Sequence, residues 1–103
     1  MEERTKNLLG LGMKSGSLIS GEENCKKELK KGKVYLILLA KDSSDNTTKL
    51  FNDKCTYYQV PIRTVGTKEI LGNCIGKSSR AVVGIKDKKF ASRLMEYIDE
   101  NSL

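Results

Sequence analysis

The sequence contains no histidine and no tryptophan, and it has only one proline among its 103 residues. Without histidine, the chain has no imidazole general base and no imidazole metal ligand. Its longest mainly apolar run, residues 34–40, is far shorter than the ~20 residues of a membrane span, and no signal-peptide pattern follows the charged N-terminus. We therefore expect a soluble, cytoplasmic protein that does not bind membranes, with a single domain over residues 1–103.

The three cysteines, Cys25, Cys55 and Cys74, are widely separated. A zinc site or a disulfide framework would need closely spaced or paired cysteines, so we predict buried, reduced thiols. No pair of carboxylates suggests acid–base catalysis. We therefore expect no catalytic residue, no metal and no cofactor, and the chain is not predicted to be an enzyme.

Positive charge is concentrated in one segment. The chain has 19 Lys and Arg against 13 Asp and Glu, and residues 26–33 alone hold five lysines and one glutamate. A local excess of this kind is typical of a polyanion-binding face. The alternative is a solvated, lysine-rich helix.

Helical and strand patterns alternate along the chain. Apolar spacing predicts helices over residues 3–14, 22–31 and 45–57, a short helix after Thr67 and a last helix after Asp87. Ser20-Gly21-Glu22-Glu23 resembles a capping box with Ser20 at the cap. Strands are predicted over residues 17–19, 35–40, 61–65 and 81–85, and the second is a continuous apolar run typical of a strand buried on both faces. The alternation predicts an α/β fold, a three-layer α/β/α sandwich with a mixed four-stranded sheet.

A glycine-flanked segment, Gly72-Asn-Cys-Ile-Gly76-Lys77-Ser78, resembles a phosphate-binding P-loop. That motif needs four residues between its glycines and a strand before it, whereas this segment has three and follows a helix. Nucleotide hydrolysis is therefore not indicated. The segment still predicts a loop whose free N–H groups, Lys77 and Arg80 can bind phosphates, with Ile75 exposed beside them to contact an unstacked base.

The second predicted helix presents polar groups outward. Asn24, Lys27 and Lys31 lie on one stripe, with Glu23 beside them. Amide and carboxylate groups can bond base edges, whereas lysines hold phosphates. If this helix and the loop at residues 72–80 meet, they form one positively charged RNA-binding surface.

An ordered set of motifs resembles the small kink-turn RNA-binding ribosomal proteins, and looks closest to their YlxQ-like bacterial branch. The motifs are Ser20-Gly21-Glu22-Glu23, Lys31-Gly32-Lys33, Ala40-Lys-Asp42, Tyr57-Tyr58-Gln-Val-Pro61, Thr67-Lys68-Glu69, Cys74-Ile-Gly76-Lys77 and Arg80-Ala-Val-Val-Gly84. The resemblance implies a protein that binds structured ribosomal or messenger RNA, and we expect a non-catalytic monomer that does not bind DNA. The RNA would be a kink-turn, in which tandem sheared G·A pairs lie between two stems, and the ribosome is an implied partner.

The resemblance also implies site residues. In this sequence they are Gly21, Glu23, Asn24 and Lys27 at the second helix, Lys68 in the fourth, and Ile75, Lys77 and Arg80 in the loop. The polar pair reads Glu23-Asn24 where better-known binders read Asn-Glu. Swapping adjacent helix positions turns each group by about 100°. This difference leaves a second interpretation open, a ribosome-associated or protein-interaction factor on the same scaffold with weakened kink-turn recognition.

Overall fold

The computed structural model describes residues 1–101. Nine elements follow one another: α1 (Glu3–Lys14), β1 (Leu18–Ser20), α2 (Glu22–Lys30), β2 (Leu36–Leu39), α3 (Asp45–Tyr58), β3 (Ile62–Thr64), α4 (Lys68–Cys74), β4 (Val82–Ile85) and α5 (Lys88–Glu100). Each helix and strand predicted from the sequence is present, with ends that differ by three residues or fewer. The predicted domain runs to residue 103, and residues 102–103 lie outside the described part.

The four strands form one mixed sheet in the order β1-β4-β2-β3. β4 pairs antiparallel with both β1 and β2, whereas β2 and β3 are parallel. Consequently β1, β2 and β3 end at the edge where β4 begins. We call this the Arg80 edge, because Arg80 lies just before β4. The opposite edge, where β4 ends and the other strands begin, is the Lys86 edge.

Helices cover both faces of the sheet, which confirms the predicted α/β/α sandwich. Successive β2 side chains point to opposite faces: Leu36 and Leu38 pack in one core, and Ile37 and Leu39 in the other. The first core includes residues of α1, α4 and α5, and the second includes residues of α2 and α3. All four β2 residues are buried, as the continuous apolar run predicted.

The two ends of α2 are shaped by glycines. The predicted capping box is wrong, because Ser20 still belongs to β1 and Gly21 occupies the N-cap position with φ 93° and ψ 151°. At the other end, the N–H of Gly32 donates to Leu29 O and that of Lys33 to Glu28 O. This is a Schellman motif, with Gly32 at its left-handed position.

The cysteines agree with the sequence prediction at two of three positions. Cys25 and Cys55 are buried and unbridged. Burial raises the pKa of the Cys25 thiol to about 12 and that of Cys55 to about 11, so both stay protonated near neutral pH. Burial was wrongly predicted for Cys74, which is half-exposed because it lines an open groove between α1 and α4.

Residues 1–101 contain neither a metal-ligand cluster nor a membrane-spanning helix. No cluster of three or more cysteine, aspartate or glutamate side chains in this range could hold a metal ion. None of its helices combines the length and apolarity needed to cross a membrane.

Candidate nucleic-acid interface

The start of α2 and the loop before β4 lie side by side at the Arg80 edge. Arg80 Nε donates to Ser20 Oγ at 3.3 Å, and the N–H of Gly21 donates to Val82 O at 3.0 Å. They meet because β1 pairs with β4, so the chain leaving β1 runs beside the chain entering β4. The condition that the sequence left open, that this helix and this loop meet, is therefore fulfilled.

The Arg80 guanidinium is held in one orientation by its own loop. Its Nη1 donates to Ser78 Oγ at 2.9 Å and to the carbonyl oxygens of Ser78 and Ser79 at 3.3 and 3.0 Å. The backbone N–H of Arg80 donates to Lys68 O at 2.9 Å, which joins the loop to α4. Nη2 makes no hydrogen bond within residues 1–101. A restrained guanidinium with donors left over is suited to a phosphate or a base edge, because little side-chain entropy remains to be lost on binding.

Asn24 is oriented in the same way at the start of α2. Its Nδ2 donates to Ser20 O at 3.1 Å, and since only the NH₂ end can donate, this contact fixes the amide orientation. Its Oδ1 accepts no hydrogen bond from residues 1–101. No side chain in this range caps the α2 N-terminus, and the space where a Gly21 Cβ would lie is open. A base or phosphate can therefore approach first-turn N–H groups and a positioned amide together.

Hydrogen bonds between neighbouring elements hold the frame of this edge. Thr47 Oγ1, buried near the start of α3, donates to Glu22 Oε1 at 3.0 Å. The N–H of Lys68 donates to Asp42 Oδ1 at 2.8 Å. The starts of α2 and α3 are thereby linked, and α4 is fastened to the segment that follows β2.

Gly72 explains the shape of the loop. A Cβ on Gly72 would lie 1.9 Å from Ser78 O, and Gly72 O accepts the N–H of Lys77 at 2.8 Å. Gly76 has a φ of 70°. The glycine spacing that resembled a nucleotide-binding loop therefore serves a tight return of the chain over the end of α4.

Two predictions about this loop are wrong. Ile75 is only 5% exposed and packs in the α1–α4–α5 core, because the chain is still finishing α4 there and places its apolar side chain inward. The N–H groups of Ile75, Gly76 and Lys77 are not free, since they bond Gly72 O, Asn73 O and Gly72 O respectively. The loop therefore offers cationic side chains rather than an apolar contact or a nest of N–H groups.

The structure separates Lys31 from the other predicted site residues. α2 has nine residues and thus spans about 13 Å, so Lys31, at its C-cap, lies toward the Lys86 edge. There its Nζ is 3.4 Å from Glu28 Oε2, and the other oxygen of Glu28 is 3.5 Å from Lys86 Nζ. Lys27, the sixth of the nine α2 residues, lies between Lys31 and the helix start at the Arg80 edge.

The charge of the Arg80 edge is mixed, with only a small positive excess where a positively charged surface was expected. Residues 20–27, 40–45, 65–69 and 76–81 hold six basic side chains and five acidic ones. Glu23 is exposed and pairs with Lys26 at 2.8 Å. Within residues 1–101, Lys27, Lys68, Lys77 and Arg80 make no ion pair and remain available to a polyanion.

Two known proteins are similar in sequence to this chain over most of its length. The chain is 41% identical to the RNA-binding protein YlxQ of Bacillus subtilis (strain 168) over 92 residues, which are 89% of this chain and 92% of that protein. It is 37% identical to the RNA-binding protein YlxQ of Enterococcus faecium over 97 residues, 94% of this chain and 93% of that one.

Two solved structures have the same fold. A protein of unknown function from Bacillus halodurans C superposes with a TM-score of 0.91 at 40% identity, covering 95% of this chain and 99% of that chain. The Giardia lamblia 15.5kD RNA binding protein gives a TM-score of 0.80 at 19% identity, covering 97% of this chain and 92% of that chain. The second likeness is one of fold alone.

The family model for the ribosomal protein L7Ae/L30e/S12e/Gadd45 family matches residues 3–95, which are nearly all of the chain. With that match and the YlxQ relatives, the chain belongs to the L7Ae/L30e/S12e/Gadd45 family, as a YlxQ-like member.

Proposed function

We propose that this protein is a non-catalytic, cytoplasmic RNA-binding protein that binds structured RNA through the Arg80 edge. The observation that carries the proposal is the joining of Arg80 to Ser20, which brings the uncapped start of α2 beside the cationic loop. Relatives that are 41% and 37% identical over most of the chain are named RNA-binding proteins, which supports the same assignment.

Each group at this edge has a chemical role in the proposal. First-turn N–H groups of α2 and the free Oδ1 of Asn24 meet base edges, where both a donor and an acceptor are useful. Lys27, Lys68, Lys77 and Arg80 contact phosphates. Ile75 has no direct contact in the proposal, because its side chain is buried.

The finer proposal is that the RNA is a kink-turn. Tandem sheared G·A pairs leave base edges open in a widened groove, so a positioned amide at a helix start can reach them. Asn24 supplies this amide. Glu23 contacts a guanine edge in the proposal only if it leaves Lys26, to which it is paired at 2.8 Å.

The test is titration of the 103-residue protein with a labelled kink-turn RNA at about 50 and 200 mM salt. A control RNA of the same length carries Watson–Crick pairs in place of the G·A pairs. We expect tight binding of the kink-turn only, with an affinity that falls steeply with salt because lysines displace condensed counterions. Equal binding of both RNAs would reject kink-turn recognition, and no binding of either at low salt would reject RNA binding here.

Matched variants locate the contacts. Lys27→Ala and Lys77→Ala should each weaken binding of both RNAs and lower the salt slope by about one. Lys49→Ala is the control, because Lys49 is exposed on α3 and its one ion pair within residues 1–101 is with Asp53 at 3.6 Å. Asn24→Ala should reduce the preference for the kink-turn over the control RNA, and an unchanged preference would limit α2 to backbone contacts.

A ribosome-associated role on the same scaffold is the second candidate. It is favoured by the near-balanced charge of the Arg80 edge and by the Glu23–Lys26 pair, both of which weaken attraction to a polyanion. Co-sedimentation with ribosomal particles that survives nuclease treatment, in a protein that fails the kink-turn titration, would support this candidate instead.

A further inference from the structure

Most of the net positive charge lies at the Lys86 edge, on the far side of the sheet from the proposed RNA site. Residues 14–17, 28–35, 59–61 and 86–89 border this edge and contain seven lysines and two carboxylates, a net charge of +5 out of +6 for the whole chain. The lysines are Lys14, Lys30, Lys31, Lys33, Lys86, Lys88 and Lys89. The lysine cluster of residues 26–33 contributes here because α2 carries its second half away from the Arg80 edge.

The two carboxylates of the Lys86 edge are already engaged within the fold. Glu28 is mostly buried and lies 3.4 Å from Lys31 and 3.5 Å from Lys86. Asp87 is the N-cap of α5 and accepts the N–H of Phe90 at 2.9 Å. Within residues 1–101, Lys14, Lys30, Lys33, Lys88 and Lys89 have no ion-pair partner. Their positive charges are therefore available to a ligand that binds this surface.

An aromatic side chain lies among these lysines. Tyr35 is 39% exposed and lines an open groove of about 240 Å³ with Pro61, Lys88, Ala91 and Met95. Lys33 is two residues before Tyr35, and Lys88 is in the groove itself. Proteins that bind single-stranded nucleic acids combine exposed aromatic rings, on which bases stack, with lysines that contact the phosphates, and this groove has an exposed ring and an unpaired lysine.

We infer that the Lys86 edge binds a second, single-stranded segment of RNA. The protein would then hold two RNA segments, one at the Arg80 edge and one at the Lys86 edge. A protein partner is less suited to this surface, because lysine is depleted in protein–protein interfaces. The inference goes beyond the proposed function and does not require that the Arg80 edge recognise a kink-turn.

The experiment uses a short labelled oligouridine and three double variants that each remove two positive charges. Lys33→Gln with Lys89→Gln alters the Lys86 edge, Lys27→Gln with Lys77→Gln alters the Arg80 edge, and Lys49→Gln with Lys54→Gln is the control on α3. We expect only the double variant Lys33→Gln with Lys89→Gln to weaken oligouridine binding by tenfold or more. Its salt slope should fall by roughly 0.7 for each lysine removed. An equal loss of oligouridine affinity in the Lys86-edge double variant and in the α3 control would overturn the inference.

Tyr35 tests whether a base is bound as well as the backbone. Tyr35→Ala should weaken oligouridine binding by about fivefold or more, which is the lower range for one stacked base, whereas Tyr35→Phe keeps the ring and should bind as the wild type does. Because Tyr35→Ala can also disturb the groove, circular dichroism of both variants accompanies the titration. Equal affinity of Tyr35→Ala and Tyr35→Phe would overturn the stacking contact. Tighter binding of an oligoglutamate than of oligouridine at this edge would assign it to an acidic protein instead.

Simultaneous binding separates this inference from the proposed function. Protein saturated with kink-turn RNA should still bind oligouridine with unchanged affinity. Competition between the two RNAs would show that one surface serves both and would overturn the inference. If no kink-turn binds, the three double variants still test the Lys86 edge on the free protein.

Discussion

Arg80 and Ser20 are 60 residues apart in the chain, and the hydrogen bond between them closes the Arg80 edge. Ser20 also accepts the Asn24 amide through its backbone oxygen. One small residue at the end of β1 thus positions both the loop guanidinium and the helix amide. The two groups are arranged by the pairing of β1 with β4 before any RNA is present.

Arg80→Lys should weaken binding of structured RNA by about tenfold, which corresponds to one charge-assisted hydrogen bond. Lysine keeps the positive charge but cannot bond Ser20, Ser78 and Ser79 at once, because it lacks the planar fork of donors. The measurement is anisotropy of a labelled kink-turn RNA, with urea unfolding followed by circular dichroism as the stability control. Unchanged affinity would show that charge alone matters at this position.

Gly21→Ala should lower the free energy of unfolding by about 1–3 kcal/mol, because φ 93° and ψ 151° lie in a region that only glycine occupies readily. Gly32 is a matched control at the other end of the same helix, where its φ of 71° is left-handed. Asparagine tolerates the left-handed region, so Gly32→Asn should be milder than Gly32→Ala. Gly21→Asn should give no such recovery relative to Gly21→Ala in urea unfolding. If asparagine restores stability relative to alanine equally at both sites, Gly21 does not have this glycine-specific conformation.

Gly72→Ala should displace the loop, because the new Cβ would meet the Ser78 carbonyl oxygen at 1.9 Å. We expect a stability loss of about 1–3 kcal/mol and loss of hydrogen-exchange protection at the Lys77 amide, which bonds Gly72 O. Gly76→Ala is the comparison, since its Cβ would enter open space and only backbone strain is added. It should keep the Lys77 amide protected. Protection that survives in Gly72→Ala would contradict the close approach.

Local signals predicted the fold well. The caps at Ser44, Thr67 and Asp87 each accept a hydrogen bond from the N–H three residues on. Such contacts depend only on residues close in the sequence. The apolar run of β2 likewise needs no knowledge of its neighbours to be recognised as buried. Ser20 was misassigned as a cap because the strand extends one residue farther than the pattern shows, a difference set by pairing with Val83.

The candidate site was harder to predict. The wrong predictions concern contacts and positions that depend on residues distant in the sequence. Ile75 was expected at the surface because it lies in a glycine-flanked loop, but the turn at the end of α4 directs it into the core. The lysines of residues 26–33 were treated as one cluster, although a nine-residue helix distributes them between two edges of the sheet. The Arg80–Ser20 bond has no local signal, because only strand pairing brings those residues together.

The Arg63–Asp99 pair gives a prediction about pH. Arg63 Nε lies 2.8 Å from Asp99 Oδ1 and Nη2 lies 3.1 Å from Oδ2, which fastens β3 to α5. The hydrogen bonds from Arg63 hold the pKa of the Asp99 carboxyl below its ordinary value of 3.8. A carboxylate whose pKa is lowered by folding stabilises the protein above its unfolded pKa. That contribution is lost as the pH falls below 3.8 and through the folded pKa.

Titration of the Asp99 carboxyl carbon by NMR checks this directly. In the wild type, the midpoint should lie below 3.8, and in Arg63→Gln it should rise toward that value because the guanidinium donors and their positive charge are gone. Lys49→Gln is the control, since it removes an exposed pair with Asp53 on α3 and should leave the Asp99 midpoint in place. Asp99→Asn should also flatten the loss of stability on acidification. A wild-type midpoint at the ordinary value would mean that the two side chains are not held together in solution, because a persistent two-bond contact with a guanidinium must favour the charged carboxylate.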